Sequence, residues 1–242
     1  RSQAKLSLFD GRWESILGVN YTRHDRDIFD DPDTMTGEIG YTRANYEGEL
    51  TKFDWQNNIR LHETNTLTMG LETQSEEARS RWNSPWTDRE SVRTDSAYIQ
   101  DQINLFECWF TTLGLRYDDH EIFGSHTTWK ANSAFIVPSV KTKLHAGIGT
   151  GFRAPSIYEL YDSWSGNPDL EPEESTSWEF GLEQPLFNDR LRLGTTYFHS
   201  KIKDLIDWSN TTWRYEQAAG ENRLHGVEAY LNASLLKNLD LT

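Results

Sequence analysis

What the chain lacks narrows its class first. With one cysteine, Cys108, it has no internal disulfide and no multi-cysteine zinc site. It also lacks a long apolar run. The longest stretch without a formal charge is Ala131 to Val140, ten residues, against the roughly 20 apolar residues that a membrane-spanning helix needs. Positive charge is scarce: 24 Lys+Arg stand against 38 Asp+Glu, a net −14 that is poorly suited to gripping nucleic-acid phosphate. There is no basic-then-apolar leader before Arg1, so a mature chain or a piece of a longer one is expected. No serine elbow, Gly-rich phosphate loop or Cys–His set supports an enzyme, and the seven histidines show no metal-ligand spacing. Glu179 and Glu183 could pair as glycosidase carboxylates on paper. At i and i+4 of one alternating segment, however, they are neighbours along a wall rather than groups flanking a bond.

What is present is aromatic and alternating. Only 36% of residues are hydrophobic, yet 13% are aromatic, with 10 Trp, 10 Tyr and 11 Phe. Apolar content concentrated in large rings suits sheets with interfacial side chains. From Lys141 to Arg153, Leu144, Ala146, Ile148, Thr150 and Phe152 fall on one face, against Lys143, His145, Gly147, Gly149, Gly151 and Arg153 on the other. The same period runs through Trp109 to Tyr117, Trp178 to Glu183, Arg190 to Tyr197 and Gly226 to Ala233. Short polar turns near Asp10, His62 to Asn65, Leu105 to Cys108, Ser139, Asn188 and Lys237 alternate with longer excursions. Those excursions lie near Asp25 to Ala44, Arg81 to Thr94, Asp119 to His126, Pro155 to Glu174 and Asp207 to Arg214. Strict short–long alternation predicts an all-β, up-and-down antiparallel sheet of about eleven strands plus the start of another at Leu239 to Thr242, with functional loops on one rim.

Alternation cannot say which face is dry. A transmembrane barrel turns its apolar face to lipid, and a soluble sheet turns it to a core. Rings at Trp109, Tyr117, Trp129, Trp178 and Tyr197 fall near the ends of the apolar stripes, as an interfacial girdle requires, and the opposite faces carry glycines and charges. A Lys or Arg facing lipid at mid-depth costs about 2–4 kcal/mol, so a wet lumen is the cheaper place for these charges. A secreted soluble carbohydrate-binding β protein is the other reading of the pattern.

Three blocks carry a family resemblance. Gly149-Thr-Gly-Phe-Arg-Ala-Pro-Ser-Ile-Tyr-Glu-Leu-Tyr161, then Gly166-Asn-Pro-Asp-Leu-Glu-Pro-Glu-Glu174, then Trp178-Glu-Phe-Gly-Leu-Glu183 closely resemble the barrel of TonB-dependent outer-membrane receptors. Lys203 to Asp207 and Gly226 to Ala229 are similar to strands of the vitamin B12 transporter branch. The resemblance implies a transmembrane, 22-stranded barrel with short periplasmic turns and long extracellular loops, of which residues 1–242 form a partial barrel domain. It also implies that a plug domain and the C-terminal strands lie outside this segment. Open edges would then pair with that missing sequence or with another copy. The implied function is energy-coupled import of a scarce nutrient, a cobalamin-like corrinoid or a ferric siderophore. The implied partners are the TonB complex, the small-molecule ligand and outer-membrane lipid. A passive outer-membrane channel is a further alternative.

Within the resemblance, Gly151, Phe152, Arg153, Pro155, Asn167, Pro168, Leu170, Pro172, Glu173 and Glu179 are signature residues with a structural role. Arg153 is expected to pair with Glu179 or Glu174 at the loop base, or to touch ligand directly. Trp82, Trp86, Tyr158, Tyr161 and Trp164 lie in two long loops, where they could stack on a planar ligand or simply pack the loops. Asp25, Asp27, Asp30, Asp31 and Asp33 offer closely spaced hard oxygens, without EF-hand spacing. Resemblance to the cobalamin branch, where calcium orders outer loops, makes Asp27, Asp30 and Asp31 candidate calcium ligands beside the alternative of a solvated acidic loop. No other cofactor is expected.

Overall fold

The computed structural model describes residues 1–30, 42–83, 85–236 and 239–241. The chain runs β1 (Ser2–Leu8), β2 (Trp13–Asp30), β3 (Thr42–His62), β4 (Asn65–Trp82), β5 (Glu90–Leu105), β6 (Trp109–His120), β7 (Gly124–Ile136), β8 (Lys143–Arg153), α1 (Ile157–Tyr161), β9 (Glu173–Leu186), β10 (Leu191–Lys203), β11 (Ile206–Ser209), β12 (Arg214–Gln217), β13 (Glu221–Leu236) and β14 (Leu239–Leu241). Twelve strands form one antiparallel sheet in chain order, interrupted only where the small β11–β12 hairpin projects between β10 and β13. This is the expected up-and-down order. No described helix is long and apolar enough to cross a membrane, which says nothing about strands.

Register turns the alternation into a continuous surface, because directly paired residues of antiparallel strands share a face. One row joins Leu17, Trp55, Leu71, Ala97 and Tyr117 across β2 to β6. Another joins Ile99, Leu115 and Trp129. On the far side Ile148 meets Trp178, and Phe180, Tyr197 and Val227 line up across β9, β10 and β13. These side chains are bare: Leu17 is 58% exposed, Leu115 50% and Phe180 56%. No second layer covers them among the described residues, so the apolar face is not half of a soluble core.

The opposite face is polar and cross-braced. Lys52 reaches Glu72 at 2.6 Å, and Arg116 reaches Glu72 at 3.2 Å and Asp118 at 2.8 Å. Ser96 Oγ donates to Asp118 at 2.6 Å. Here glycine is required by close approach: a methyl at Gly70 would overlap the ring of its cross-strand partner Tyr98, and one at Gly194 the ring of Tyr230.

In two of the expected excursions the described residues are largely strand. Asp119 to His126 contains only the turn between β6 and β7, because β6 runs through His120 and β7 starts at Gly124. His120 explains the tightness: its Nδ1 accepts the amides of Ile122 and Phe123, both at 3.3 Å. Burial also pushes its pKa down, which keeps that nitrogen an acceptor. Likewise β2 continues to Asp30, so Asp25, Asp27 and Asp30 lie on a strand rather than in a loop. At 18, 21 and 18 residues, β2, β3 and β4 far exceed the roughly 9–11 residues that a tilted strand needs to cross a bilayer, and their ends stand beyond it.

Candidate functional site

The long-loop rim carries the only buried apolar cluster of side chains identified among the described residues, Leu160, Leu170 and Ile206, packed with Phe123 and Tyr215. It forms the inside of a lid. β8 ends at Arg153, and Pro155, which has no N–H to give to a sheet, is buried just beyond. Ser156 then caps α1 by a reciprocal box: its Oγ accepts the amide of Glu159 at 3.2 Å, and Glu159 Oε2 accepts the amide of Ser156 at 2.8 Å. The chain folds back tightly at Gly166, where a Cβ would sit 2.6 Å from the backbone of Asp162.

Lid, hairpin and wall are sewn together by side-chain to backbone bonds. Asn167 donates to the carbonyl of Tyr215 at 2.7 Å and accepts the amide of Asp169 at 3.1 Å, shaping the turn around exposed Pro168. Gln217 donates to the carbonyl of Glu171 at 2.9 Å, beside half-buried Pro172. Asp162 takes Ser165 Oγ at 2.8 Å on one carboxylate oxygen and Ser80 Oγ of β4 at 2.6 Å on the other. The lid is thereby moored to the wall of β4 as well as to β8 and β9.

Arg153 forms the mooring at β8, with partners other than those expected. It pairs with Glu159 at 3.1 Å and with Glu173, whose Oε1 also accepts the amide of Ile206 at 2.9 Å. The hydrogen bond from Arg153 holds the Glu173 carboxyl below its usual range. Glu174 is excluded because alternation turns it to the opposite face. Glu179 lies six residues further down the strand, opposite Gly147 and Phe198. The Arg153 guanidinium is thus committed to the loop base. Gly151 lies where a Cβ would be 2.7 Å from Ser175 Oγ, and Phe152 stacks on His126 at 3.8 Å between ring centres.

Beneath the lid lies a cavity of about 500 Å³ whose lining includes His24, Arg26, Tyr46, Tyr158, Tyr161 and Tyr215. An aromatic chain runs from the wall to the hairpin and meets the cavity at Tyr215. Trp82 stacks on Trp164 at 5.7 Å, Trp164 on Trp208 at 5.6 Å, and Trp208 meets Tyr215 edge-on at 5.4 Å. Tyr158 meets Tyr215 at 5.9 Å and Tyr46 of β3 at 5.4 Å, both edge-on. Burial raises the Tyr158 pKa to about 12.

Four of the five expected loop aromatics therefore converge: Trp82, Tyr158, Tyr161 and Trp164. Trp86 does not, since it lies under the guanidinium groups of Arg79 at 4.5 Å and Arg81 at 4.7 Å. Alternation along β4 sets those two arginines on the face opposite Ser80 and Trp82. Sequence reasoning missed Tyr46, Trp208 and Tyr215. The signal for the latter two was present, as Trp208, Trp213 and Tyr215 sit in or beside an excursion already read as long.

The described members of the acidic cluster lie on both faces of β2. Asp27 bonds Asn45 on one face of β2, Asp30 falls on the other by alternation, and Asp31 and Asp33 lie outside the described residues. Among the described residues no group of three or more His, Cys, Asp or Glu side chains is placed to hold a metal ion.

Comparison with known proteins reports the same architecture. The vitamin B12 transporter BtuB of Vibrio cholerae is 29% identical over 74% of this chain and 28% of its own length. BtuB of Photobacterium profundum is 32% identical over 66% of this chain and 26% of its own length. The chain thus spans just over a quarter of these relatives. Among solved structures, the copper transporter OprC superposes with a TM-score of 0.75 at 18% identity, over 94% of this chain and 41% of its own. The siderophore receptor PirA of Pseudomonas aeruginosa does so with 0.67 at 20% identity, over 98% and 51%. These likenesses confirm the fold as part of a larger barrel. The model of the TonB dependent receptor-like β-barrel matches residues 1–242, and the chain belongs to that family.

Proposed function

We propose that the chain forms the ligand-capturing side of an energy-coupled outer-membrane importer, with a corrinoid as the favoured nutrient and a ferric siderophore as the alternative. The observation that carries this reading is the lidded cavity on the long-loop rim, lined by four tyrosines with His24 and Arg26. Its roughly 500 Å³ falls within the range of small-molecule sites, and its lining sets aromatic rings beside charged and polar side chains. The BtuB relatives favour the corrinoid. Energy would come from the TonB complex acting through parts of the receptor beyond this segment. Of the two β9 carboxylates Glu179 and Glu183, the latter is tied to Lys143 at 2.6 Å.

The test is binding and uptake by the full-length source protein in a Gram-negative host stripped of its own corrinoid and siderophore receptors. Saturable cyanocobalamin binding is expected, with uptake lost when TonB is deleted. A Tyr46→Ala, Tyr158→Ala double variant should weaken binding by about tenfold. Uptake that persists without TonB would identify a passive channel. Binding of neither corrinoid nor ferric siderophore would overturn the reading.

A further inference from the structure

The β6–β7 turn belongs to the lid as much as to the wall. Phe123, its last residue before β7, packs against Leu160, Leu170 and Ile206, the apolar cluster inside the lid. Two histidines grip that residue from the strands on either side. From the end of β6, His120 Nδ1 accepts the amides of Ile122 and Phe123, both at 3.3 Å, and its ring lies 5.2 Å from that of Phe123. From β7, His126 Nε2 donates to the carbonyl of Phe123 at 3.1 Å.

The two grips answer differently to a proton. An imidazolium donates from both ring nitrogens. His126 can take up a proton and keep its bond, because the nitrogen facing the carbonyl is a donor already. His120 cannot: a proton on Nδ1 would face two amide protons, in a residue only 8% exposed.

The surroundings of His120 set where this happens. Burial is the largest influence and opposes the charged ring, as does His126 of β7, whereas Glu76 of β4 and Glu121 of the turn favour it. Its β5 partner Thr94 is uncharged, and Asp118, two residues down the same face of β6, is already bonded to Arg116 and Ser96. The balance holds the pKa of His120 below the ordinary histidine value. The contribution of the turn to lid closure is therefore fully present above about pH 6.5, the ordinary value that a released ring regains. It is lost as pH falls through the lower value of the closed lid. Glu173, which Arg153 holds at the lid base, is kept below the usual carboxylate range and stays ionised across that interval.

We propose that His120 is a pH-sensitive latch, whose protonation frees Phe123 from the apolar cluster and loosens the lid over the tyrosine-lined cavity. The test is hydrogen exchange of the full-length protein in detergent micelles at about pH 7.5 and about pH 5.5, corrected for the intrinsic pH dependence of exchange. The amides of Asn167 and Tyr215, bonded to Glu159 and Ser165, should open up to about tenfold more often at the lower pH, the ceiling for one histidine of ordinary pKa near 6.5. Wall amides such as Ile99 should not change. His120→Asn offers the turn amides an oxygen that takes up no proton; it should match the parent at the higher pH and abolish the rise. His126→Gln keeps a donor for the Phe123 carbonyl, and the acid-linked opening should remain. In the parent, the ring-nitrogen NMR shifts of His120 should titrate over the interval in which the lid loses protection, a reading that depends on no variant folding. A lid unchanged in acid, a rise that persists in His120→Asn, an equal rise in wall and lid, or a His120 ring that titrates outside the interval would overturn the proposal.

Discussion

The wall and the lid solve the same problem by opposite means. Across the wall, strand ladders satisfy the backbone, and its large apolar side chains stay bare because lipid is their solvent, as with Leu115 at 50% exposure. The lid has almost no ladder, only a five-residue helix and a four-residue strand pair. It keeps its shape with a three-residue apolar cluster, an aromatic chain and side chains bonded to backbone. Alternation alone can encode a wall. A lid needs individually placed residues, which is why the motif residues of this chain gather there.

The sharpest way to break the comparison is to put charge where only lipid belongs. Leu115→Arg should destabilise the barrel by about 2–4 kcal/mol, read as a lower urea midpoint after reconstitution into lipid vesicles. An unchanged midpoint would mean that this face does not meet lipid. The corresponding lid experiment is Leu170→Ala, which removes a residue that is 3% exposed from a cluster of three. A cost of about 2 kcal/mol is expected, confined to the lid. Hydrogen exchange should quicken at the amides of Asn167 and Tyr215, bonded to Glu159 and Ser165, while wall amides such as Ile99 stay protected. If wall and lid amides accelerate together, the two regions are one cooperative unit.

Legibility followed the same division. Alternation in Lys141 to Arg153 and its fellows predicted the strands, because period is a local property, and the short and long connections predicted their order. The β6–β7 turn was misread because Asp119 and His126 look like loop residues, and only the folded turn shows His120 Nδ1 replacing the missing chain length. Asp25, Asp27 and Asp30 were read as loop for a related reason. Five aspartates suggest a loop, yet three of them ride on an overlong strand whose alternation parts Asp27 from Asp30. Partners across space were the least readable. Arg153 was expected to find a carboxylate along β9, and it found Glu173 together with Glu159 from a helix whose docking no periodicity announces. Tyr46, 112 positions before Tyr158, is close to it only because the lid reaches across to β3.

Tyr158 gives the smallest and most local test, because it touches both regions at once. Its ring meets Tyr46 of the wall and Tyr215 of the hairpin, and its hydroxyl accepts a bond from Ser165 at 3.4 Å. Burial raises its pKa to about 12, against about 10 for a free tyrosine, so the closed lid favours the neutral phenol. The sign follows from linkage: this contribution to lid closure is fully present below about pH 10 and fades as pH rises toward about 12. Near-ultraviolet difference titration of the parent against Tyr158→Phe should therefore show one phenol ionising late, with the lid amides losing protection over the same interval. Tyr158→Phe keeps the ring contacts and should shift lid exchange at neutral pH by well under tenfold, since a long, part-buried hydroxyl bond is worth about 1 kcal/mol or less. A late phenol absent from the difference curve would show that the lid stands open in solution. The wall would then be the only part of the comparison that is folded without ligand.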